Sequence, residues 1–584
     1  MNTDNYDFDK SSVPQDLDGY TPFIDKQTNS YINDQNSGVY SATQSLVQFD
    51  LSSLYNSSRW TNTNDMFVTI PIIMAIATAA LGAAPTVPPP NAAWALATLK
   101  SGYHHLISQA DLQIDGKTVS ETQPFLGTFT HVKLLSELSQ NDLKSIGSVI
   151  GFSDVLDSPN SVIWNSSVTD VDLTNGNGLT NNSVFGTTTQ TTASTNQNVG
   201  LCNEAINKRA LKVADVSRAG QSKIVGAGNI YSELNDLNKL KSEYKSTYYV
   251  SGNYGYITDL AIIRLKDIFD CMNNIGLVKR FNGVLRLYIN TGSLYVNCNV
   301  NNTSDTGTAN PNYKFSVSNS TFTNVCPFTI NNLNSLGSAA GIAFAQKQLA
   351  VGLFIGKTLP TNNNGINLGS TSVIHPQGSC RLYYSSIIME PERALTYSRA
   401  NQAKNVVFKN YYFNQISGVG ANNNWSQLIQ SGITNPYALI VIPYIGTTVT
   451  GMNSMSQYQS PFDTAPATGA PIILEELQVQ LGGQQVLNSP YRYGFETFVS
   501  QFSNCEALSS SDFGVSCGVV NYEWWQANRI YYINLSRSTK ADQITPRNIV
   551  LSFKNASSVP IDVQVFTVYL DRIVLNVDTG AVTR

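Results

Sequence analysis

Leu112–Ser136 reads LQIDGKTVSETQPFLGTFTHVKLLS, and 367 residues further on Val479–Ser503 reads VQLGGQQVLNSPYRYGFETFVSQFS. The two stretches align without gaps. Seven of 25 positions are identical: Gln113/Gln480, Gly116/Gly483, Val119/Val486, Gly127/Gly494, Thr130/Thr497, Val132/Val499 and Ser136/Ser503. The chemistry matters more than the count. Each copy opens apolar–Gln–apolar, continues with Asp115-Gly116 or Gly482-Gly483, and then runs through polar residues to a valine. Asp-Gly and Gly-Gly supply the positive φ angles that a two-residue β-hairpin needs. Each copy is therefore predicted to be a tight hairpin with a short apolar-rich segment after it.

A second pair lies upstream. Phe67-Val68-Thr69-Ile70-Pro71-Ile72-Ile73 precedes the first hairpin by 45 residues, counted Pro71 to Gly116, and Leu439-Ile440-Val441-Ile442-Pro443-Tyr444-Ile445 precedes the second by 40, Pro443 to Gly483. Both read as aliphatic strands whose proline, unable to donate to a ladder, marks an edge, a bulge or a strand end. Leu46–Phe49 precedes the first and Val406–Phe408 the second, so strand, strand and hairpin recur in one order. Leu260–Ile263, Val284–Ile289 and Cys380–Tyr384 add strands to the first half. Ile530–Ile533, Ile549–Phe553 and Val563–Leu570 add them to the second. Each half offers about eight strands, the number a jelly roll uses. Asp154–Asn198, rich in Asn, Ser, Thr and Gly, reads as a long loop. Ser232–Lys245 and Leu336–Val351 read as short helices.

Composition agrees. The 584 residues are 42% hydrophobic and 13% charged, with 60 Asn, 40 Gly and 29 Tyr. Charge is about half the usual share of roughly 25%. Tyr, Val, Thr and Asn without much Lys or Glu favour strands and long turns over helices. The net charge of −4 excludes a generally basic nucleic-acid binder. The first 50 residues hold eight Asp, no Glu or Arg and two Lys, the opposite of an arm that neutralises phosphates.

Met66–Ala84 is 19 residues without a charge, long enough for a bilayer. Pro71 interrupts it, Pro85, Pro88, Pro89 and Pro90 follow, and its counterpart at 439–445 is short, so a buried strand is expected and no membrane span. Seven scattered cysteines (202, 271, 298, 326, 380, 505 and 517) without C-x-x-C spacing read as mostly reduced, buried residues.

A search for chemistry yields no catalytic, cofactor-binding or metal site. Gly514-Val515-Ser516-Cys517-Gly518 matches the nucleophile-elbow pattern, but no His follows His375 and a Gly/Ser turn is the plainer reading. His104 and His105, as strand neighbours, point to opposite faces and read as a satisfied polar pair. His131 and His375 complete the four histidines without zinc spacing. Glu390, Glu392, Glu475 and Glu476 read as surface or interface groups. Trp524-Trp525 and Tyr411-Tyr412-Phe413 lack basic neighbours and read as packing aromatics. The sequons at Asn56, Asn165, Asn181, Asn319 and Asn555 are expected by chance.

Taken in order, Val47–Asp50, FVTIPII, the hairpin LQIDGKTV and the second round with its paired C-terminal strands resemble a double jelly-roll major capsid protein. The likeness is to those of polinton-like viruses and virophages, and it spans residues 40–584. Cys380–Phe408 (CRLYYSSIIMEPERALTYSRANQAKNVVF) resembles that family's passage between barrels. The reading is all-β: two tandem eight-stranded antiparallel jelly rolls with loop and short-helix insertions. The expected division is an acidic polar arm (1–40), a first jelly roll (41–397, long insertion about 153–250) and a second (398–584). The resemblance implies no enzyme and no cofactor. It implies a homotrimeric, pseudo-hexameric capsomer in the icosahedral capsid of a double-stranded DNA virion, with penton and minor capsid proteins as partners and no strong nucleic-acid binding. A β-sandwich adhesin or fibre binding glycans through exposed Tyr and Trp is the alternative, and a carbohydrate-active enzyme using two of the carboxylates is a third reading.

Overall fold

Both glycine-bearing pairs turn as their chemistry demands. Asp115 and Gly116 have φ of 52° and 71°, and Gly482 and Gly483 of 59° and 86°. The computed structural model describes residues 24–80, 97–152, 246–300, 313–330, 346–356, 377–446, 472–503, 520–536 and 545–583, save for short interior gaps, together with 189–190, 214–215, 458 and 461.

The first half contains, in chain order, β1 (Ile24–Asn33), β2 (Gln44–Asp50), β3 (Trp60–Ala80), β4 (Ile107–Ile114), β5 (Lys117–Ser120), helix α1 (Leu126–Glu137), β6 (Tyr254–Arg264) and β7 (Gly283–Asn290). An inserted run of β8 (Gly292–Val300), β9 (Tyr313–Ser318) and β10 (Gln346–Ile355) follows, and then β11 (Arg381–Met389). Helix α2 (Pro391–Ala400) leads across the expected junction at 397/398 into the second half. There β12 (Lys404–Val419), β13 (Asn424–Ile433), β14 (Pro436–Ile445), β15 (Leu474–Leu481) and β16 (Gln484–Gln485) precede helices α3 (Phe495–Ser503) and α4 (Tyr522–Ala527). The chain ends with β17 (Tyr531–Asn534), β18 (Arg547–Asn555), β19 (Ile561–Leu575) and β20 (Val582–Thr583).

Two main sheets form in each half, and a two-stranded sheet of Ala97–Leu99 and Phe328–Ile330 adds to the first. In the first, β1-β11-β3-β6 lie side by side within an 11-stranded sheet, and β2-β7-β4-β5 form a four-stranded one. In the second, β12-β19-β14-β17 face β13-β18-β15-β16. With the eight principal strands of each half numbered in chain order, both halves read 1-8-3-6 and 2-7-4-5. Every one of these pairings is antiparallel. The repeat seen in the sequence is the link from the fourth to the fifth strand plus the helix after it: β4, β5 and α1 in one half, β15, β16 and α3 in the other.

The core sits between paired sheets. Where one face is buried, the strands alternate, as in β7 (Val284, Arg286 and Tyr288 half-buried, Leu285 and Leu287 buried) and β18. The aliphatic runs behave differently. Ile70, Ile72, Ile73, Met74, Ala75 and Ile76 of β3, and Leu439–Ile442 of β14, are all buried. Met66–Ala80 is thus strand, and no described helix is long and apolar enough to cross a membrane.

Pro71 sits where β3 changes partner. Along one edge, β11 pairs with Trp60–Thr69 and β10 with Ile72–Ala80. The Pro71 carbonyl accepts from Gly356 N at 3.0 Å on that edge. A strand residue's N and O point the same way, so the missing N–H faces the handover, where no ladder donor is required. In the second half, Pro443 lies past Val441, the last residue of β14 paired to β17.

The structure corrects four expectations. Ile24–Asn33, placed in the acidic arm, is an edge strand running from Ile24 opposite Met389 to Asn33 opposite Arg381, so the first sandwich begins before residue 41. Leu46–Phe49 is the second strand of its sandwich, whereas Val406–Phe408 belongs to the first strand of the other, so these two are not counterparts. Of Leu336–Val351, read as helix, Gln346–Val351 is part of β10, and 336–345 falls outside the described residues. His104 and His105 lie on a 3-10 turn, Tyr103–Leu106, not on a strand. The insertion at 153–250, with the loop Asp154–Asn198 and the helix Ser232–Lys245, falls largely outside the described residues.

The turn glycines differ in what surrounds them. A Cβ at Gly116, or at its counterpart Gly483, meets nothing within 4 Å, whereas one at Gly482 falls 2.7 Å from Arg547 Cδ. Gly116→Ala therefore costs about 1 kcal/mol, the left-handed strain alone. Gly482→Ala costs more, because Arg547 must also move. Urea unfolding midpoints of the two variants test this order.

Candidate functional site

The two sandwiches meet along a seam built on α1. Phe125, at its N-cap, with Phe129 and Lys133, recurs every four residues on one face. Phe129 stacks on Tyr411 with ring centroids 4.1 Å apart, and Phe125 lies 4.7 Å from Phe413. Phe566 of β19 closes the cluster, 5.9 Å from Phe129. Lys133 Nζ pairs with Asp270 Oδ1 at 3.3 Å and donates to Lys266 O at 3.0 Å. The other oxygen of Asp270 accepts from Lys409 N of β12 at 2.9 Å. Burial opposes ionisation of Asp270, but the charges of Lys133 and Lys409 outweigh it and hold the carboxyl below its usual range. Lys404, also buried, donates from Nζ to Ile275 O at 2.9 Å. A cleft opens beside this network, lined by Phe129, Lys133, Asp270, Lys409, Tyr411 and Tyr437.

The C-terminal hairpin of β19 and β20 fastens the seam elsewhere. Val582 N donates to Asp115 Oδ2 at 3.2 Å, and Lys117 Nζ donates to Val582 O. Lys279 N donates to Val577 O at 2.7 Å. This explains why the first turn is Asp-Gly and the second Gly-Gly: the Asp115 carboxylate holds the other sandwich. Gly580, at φ 73°, lies so close to Arg280 O that a Cβ would come within 2.3 Å.

The residues weighed for chemistry occupy structural positions. Glu390 caps α2 by accepting from Arg393 N at 3.0 Å, with Glu392 in the first turn. Glu475 lies 3.6 Å from Lys554, and Glu476 has φ 51° at a bulge of β15. Trp525 is buried and donates from Nε1 to Ile530 O at 2.9 Å, with the Arg529 guanidinium 4.0 Å over its ring. Tyr411 and Phe413 belong to the seam, and Tyr412 stacks on Tyr569 at 4.6 Å. Cys271, Cys326 and Cys380 are free and buried. Asn555 is wholly buried and donates from Nδ2 to the carbonyls of Val419, Gly420 and Val559, which closes it to glycosylation in the folded chain. Asn56 is exposed. Asn165, Asn181, Asn319, His375 and Gly514–Gly518 fall outside the described residues.

Three histidines come together, which spacing did not reveal. His131 Nδ1, on α1, lies 3.2 Å from His104 Nε2 and 3.1 Å from His105 Nε2. All three rings are buried. Burial and the neighbouring His131 push His104 well below its ordinary pKa.

No family model and no curated protein matches this chain. Among solved structures, a chain of the Sputnik virophage, determined by cryo-electron microscopy, is similar at TM-score 0.50 and 10% identity over 98% of this chain and 90% of its own. That agreement spans both halves of the chain. The fold is a double jelly roll. The mavirus major capsid protein is also similar, at TM-score 0.42 and 9% identity, over 97% of this chain and 92% of its own. The PBCV-1 virus capsid follows at 0.38 and 8%, over 97% and 98%.

Two measurements probe the seam of this double jelly roll. Phe129→Ala is expected to cost about 3 kcal/mol through the lost aromatic contacts, read as a lower denaturation midpoint. Asp270 titrates lower in the folded chain than its ordinary value of 3.8. The stability it contributes is therefore present above that ordinary value and is lost as pH falls through the folded one. In acid titrations followed by fluorescence, Asp270→Asn should be less stable than wild type near pH 7, and the gap should narrow below about pH 4.

Proposed function

We propose that the chain is a structural capsid protein that works by self-assembly and catalyses nothing. The observation that carries this reading is the duplication itself: two sandwiches with one strand order, fixed side by side by a packed seam. Three copies present six sandwiches, which fits a hexagonal lattice position while keeping threefold symmetry. On this reading the capsomer is a homotrimer in the icosahedral shell of a double-stranded DNA virion, with penton and minor capsid proteins as neighbours and no strong direct contact with the genome.

Charge supports it. A net of −4 on 584 residues keeps repulsion low when many copies crowd together. The acidic beginning of the chain leaves compensation of a genome's charge to something else. Helix α2 has no buried residue and leaves Leu395 52% exposed, a surface suited to a neighbouring copy. Of the aromatics weighed for stacking on a glycan, Trp524, Trp525 and Tyr411 are buried.

Light scattering of the purified chain is expected to give three times the 63.7 kDa mass of one copy. Negative-stain images should show six lobes around a threefold axis. A monomer at every concentration would overturn the proposal.

A further inference from the structure

We propose that His104, His105 and His131 form a structural site for a divalent cation of the zinc class. This does not depend on the assembly proposed above. Nothing in the repeat requires it, since Phe498 stands in α3 where His131 stands in α1.

The ligand atoms already converge. Four-coordinate zinc with Zn–N about 2.1 Å sets its ligand nitrogens about 3.4 Å apart. His131 Nδ1 lies 3.2 Å from His104 Nε2 and 3.1 Å from His105 Nε2. The three ligand atoms all lie within 4.8 Å of one another. Hydrogen bonding alone accounts poorly for this arrangement. A neutral ring nitrogen carries one hydrogen or one in-plane lone pair, yet Nδ1 of His131 meets two ring nitrogens at once. A cation at the centre takes a lone pair from each ring. Three imidazoles suit zinc and its neighbours over magnesium or calcium.

The surroundings are built for these rings. Gly102 has φ 93°, and a Cβ there would lie 2.0 Å from His104 Cε1. Gly127, at the start of α1, admits the turn so closely that its Cβ would come within 3.0 Å of His104 O and 3.1 Å of His105 Cα. Phe152 flanks the cluster, with ring centroids 6.0 Å from His104 and 5.0 Å from His131. His131 projects from the side of α1 opposite Phe129 and Lys133. A bound cation would thus pin the seam helix to the body of its own sandwich, and a solvent molecule would complete the shell.

The test uses the full chain without a histidine tag, expressed with added zinc and purified without chelator. Elemental analysis is expected to find about one zinc per chain, falling at least about tenfold in His131→Gln and His105→Gln. Wild type refolded with Co²⁺ should show the visible absorption of a four-coordinate nitrogen site. Refolding with chelator should lower Tm by about 5 °C relative to refolding with Zn²⁺. The cobalt spectrum and the Tm difference stand on wild type alone if the variants fail to fold. Wild type holding less than about a tenth of a zinc per chain, with no cobalt band, would overturn the proposal, as would zinc retained undiminished in both variants.

Discussion

The stack of Phe129 on Tyr411, 4.1 Å apart, fixes one sandwich against the other, and the shape of the chain depends on it. The buried core runs through both sandwiches, but each pairs its strands within its own sheets, so neither needs its neighbour to satisfy them. What the seam adds is orientation. Aromatic stacking is tolerant of small slips, so it leaves the register soft. Asp270 removes that freedom. It takes an ammonium from the first sandwich and a backbone N–H from the first strand of the second. Buried ion pairs contribute little net stability, because desolvation offsets attraction, but misplacing one partner strands a charge. The apolar contacts hold the seam, and the charged ones select a single position for it.

The parts of this arrangement that were legible in the sequence are those set by local chemistry. Asp115-Gly116 and Gly482-Gly483 turn because few other pairs adopt those angles. The runs at 67–73 and 439–445 are strands because aliphatic, β-branched residues buried on both faces have no polar side to show. The parts that were hidden depend on partners distant in sequence. Ile24–Asn33 carries polar, mostly exposed side chains and is a strand only because β11 offers an edge. Gln346–Ile355 has an apolar spacing that either element accepts, and its pairing with β3 decides the matter. His131 lies 26 residues from His105 on a different element, so no spacing rule joins them. The signal available was Gly127, whose lack of a side chain lets that helix approach the turn.

The duplicated sandwiches have diverged by adding a partner to one strand. Strand β14 is 10 residues long and β3 is 21. The additional length exists because β10 takes over the edge that β11 leaves. A strand extended without a partner would expose a row of unpaired amides, so lengthening β3 and inserting β8, β9 and β10 belong to one change. Pro71 marks its boundary, between the residues paired with β11 and those paired with β10.

This asymmetry bears on the assembly proposed for the chain. Two identical sandwiches would make a trimer sixfold in outline and in height. Here one sandwich carries an enlarged sheet and the other does not, so three copies would alternate the two kinds around the axis. Neighbouring capsomers would then meet through unlike faces, and a lattice that accepts six similar lobes could still tell them apart. The seam makes that distinction usable. Only if the two sandwiches keep one orientation does the extension of β3 occupy a fixed place in every copy.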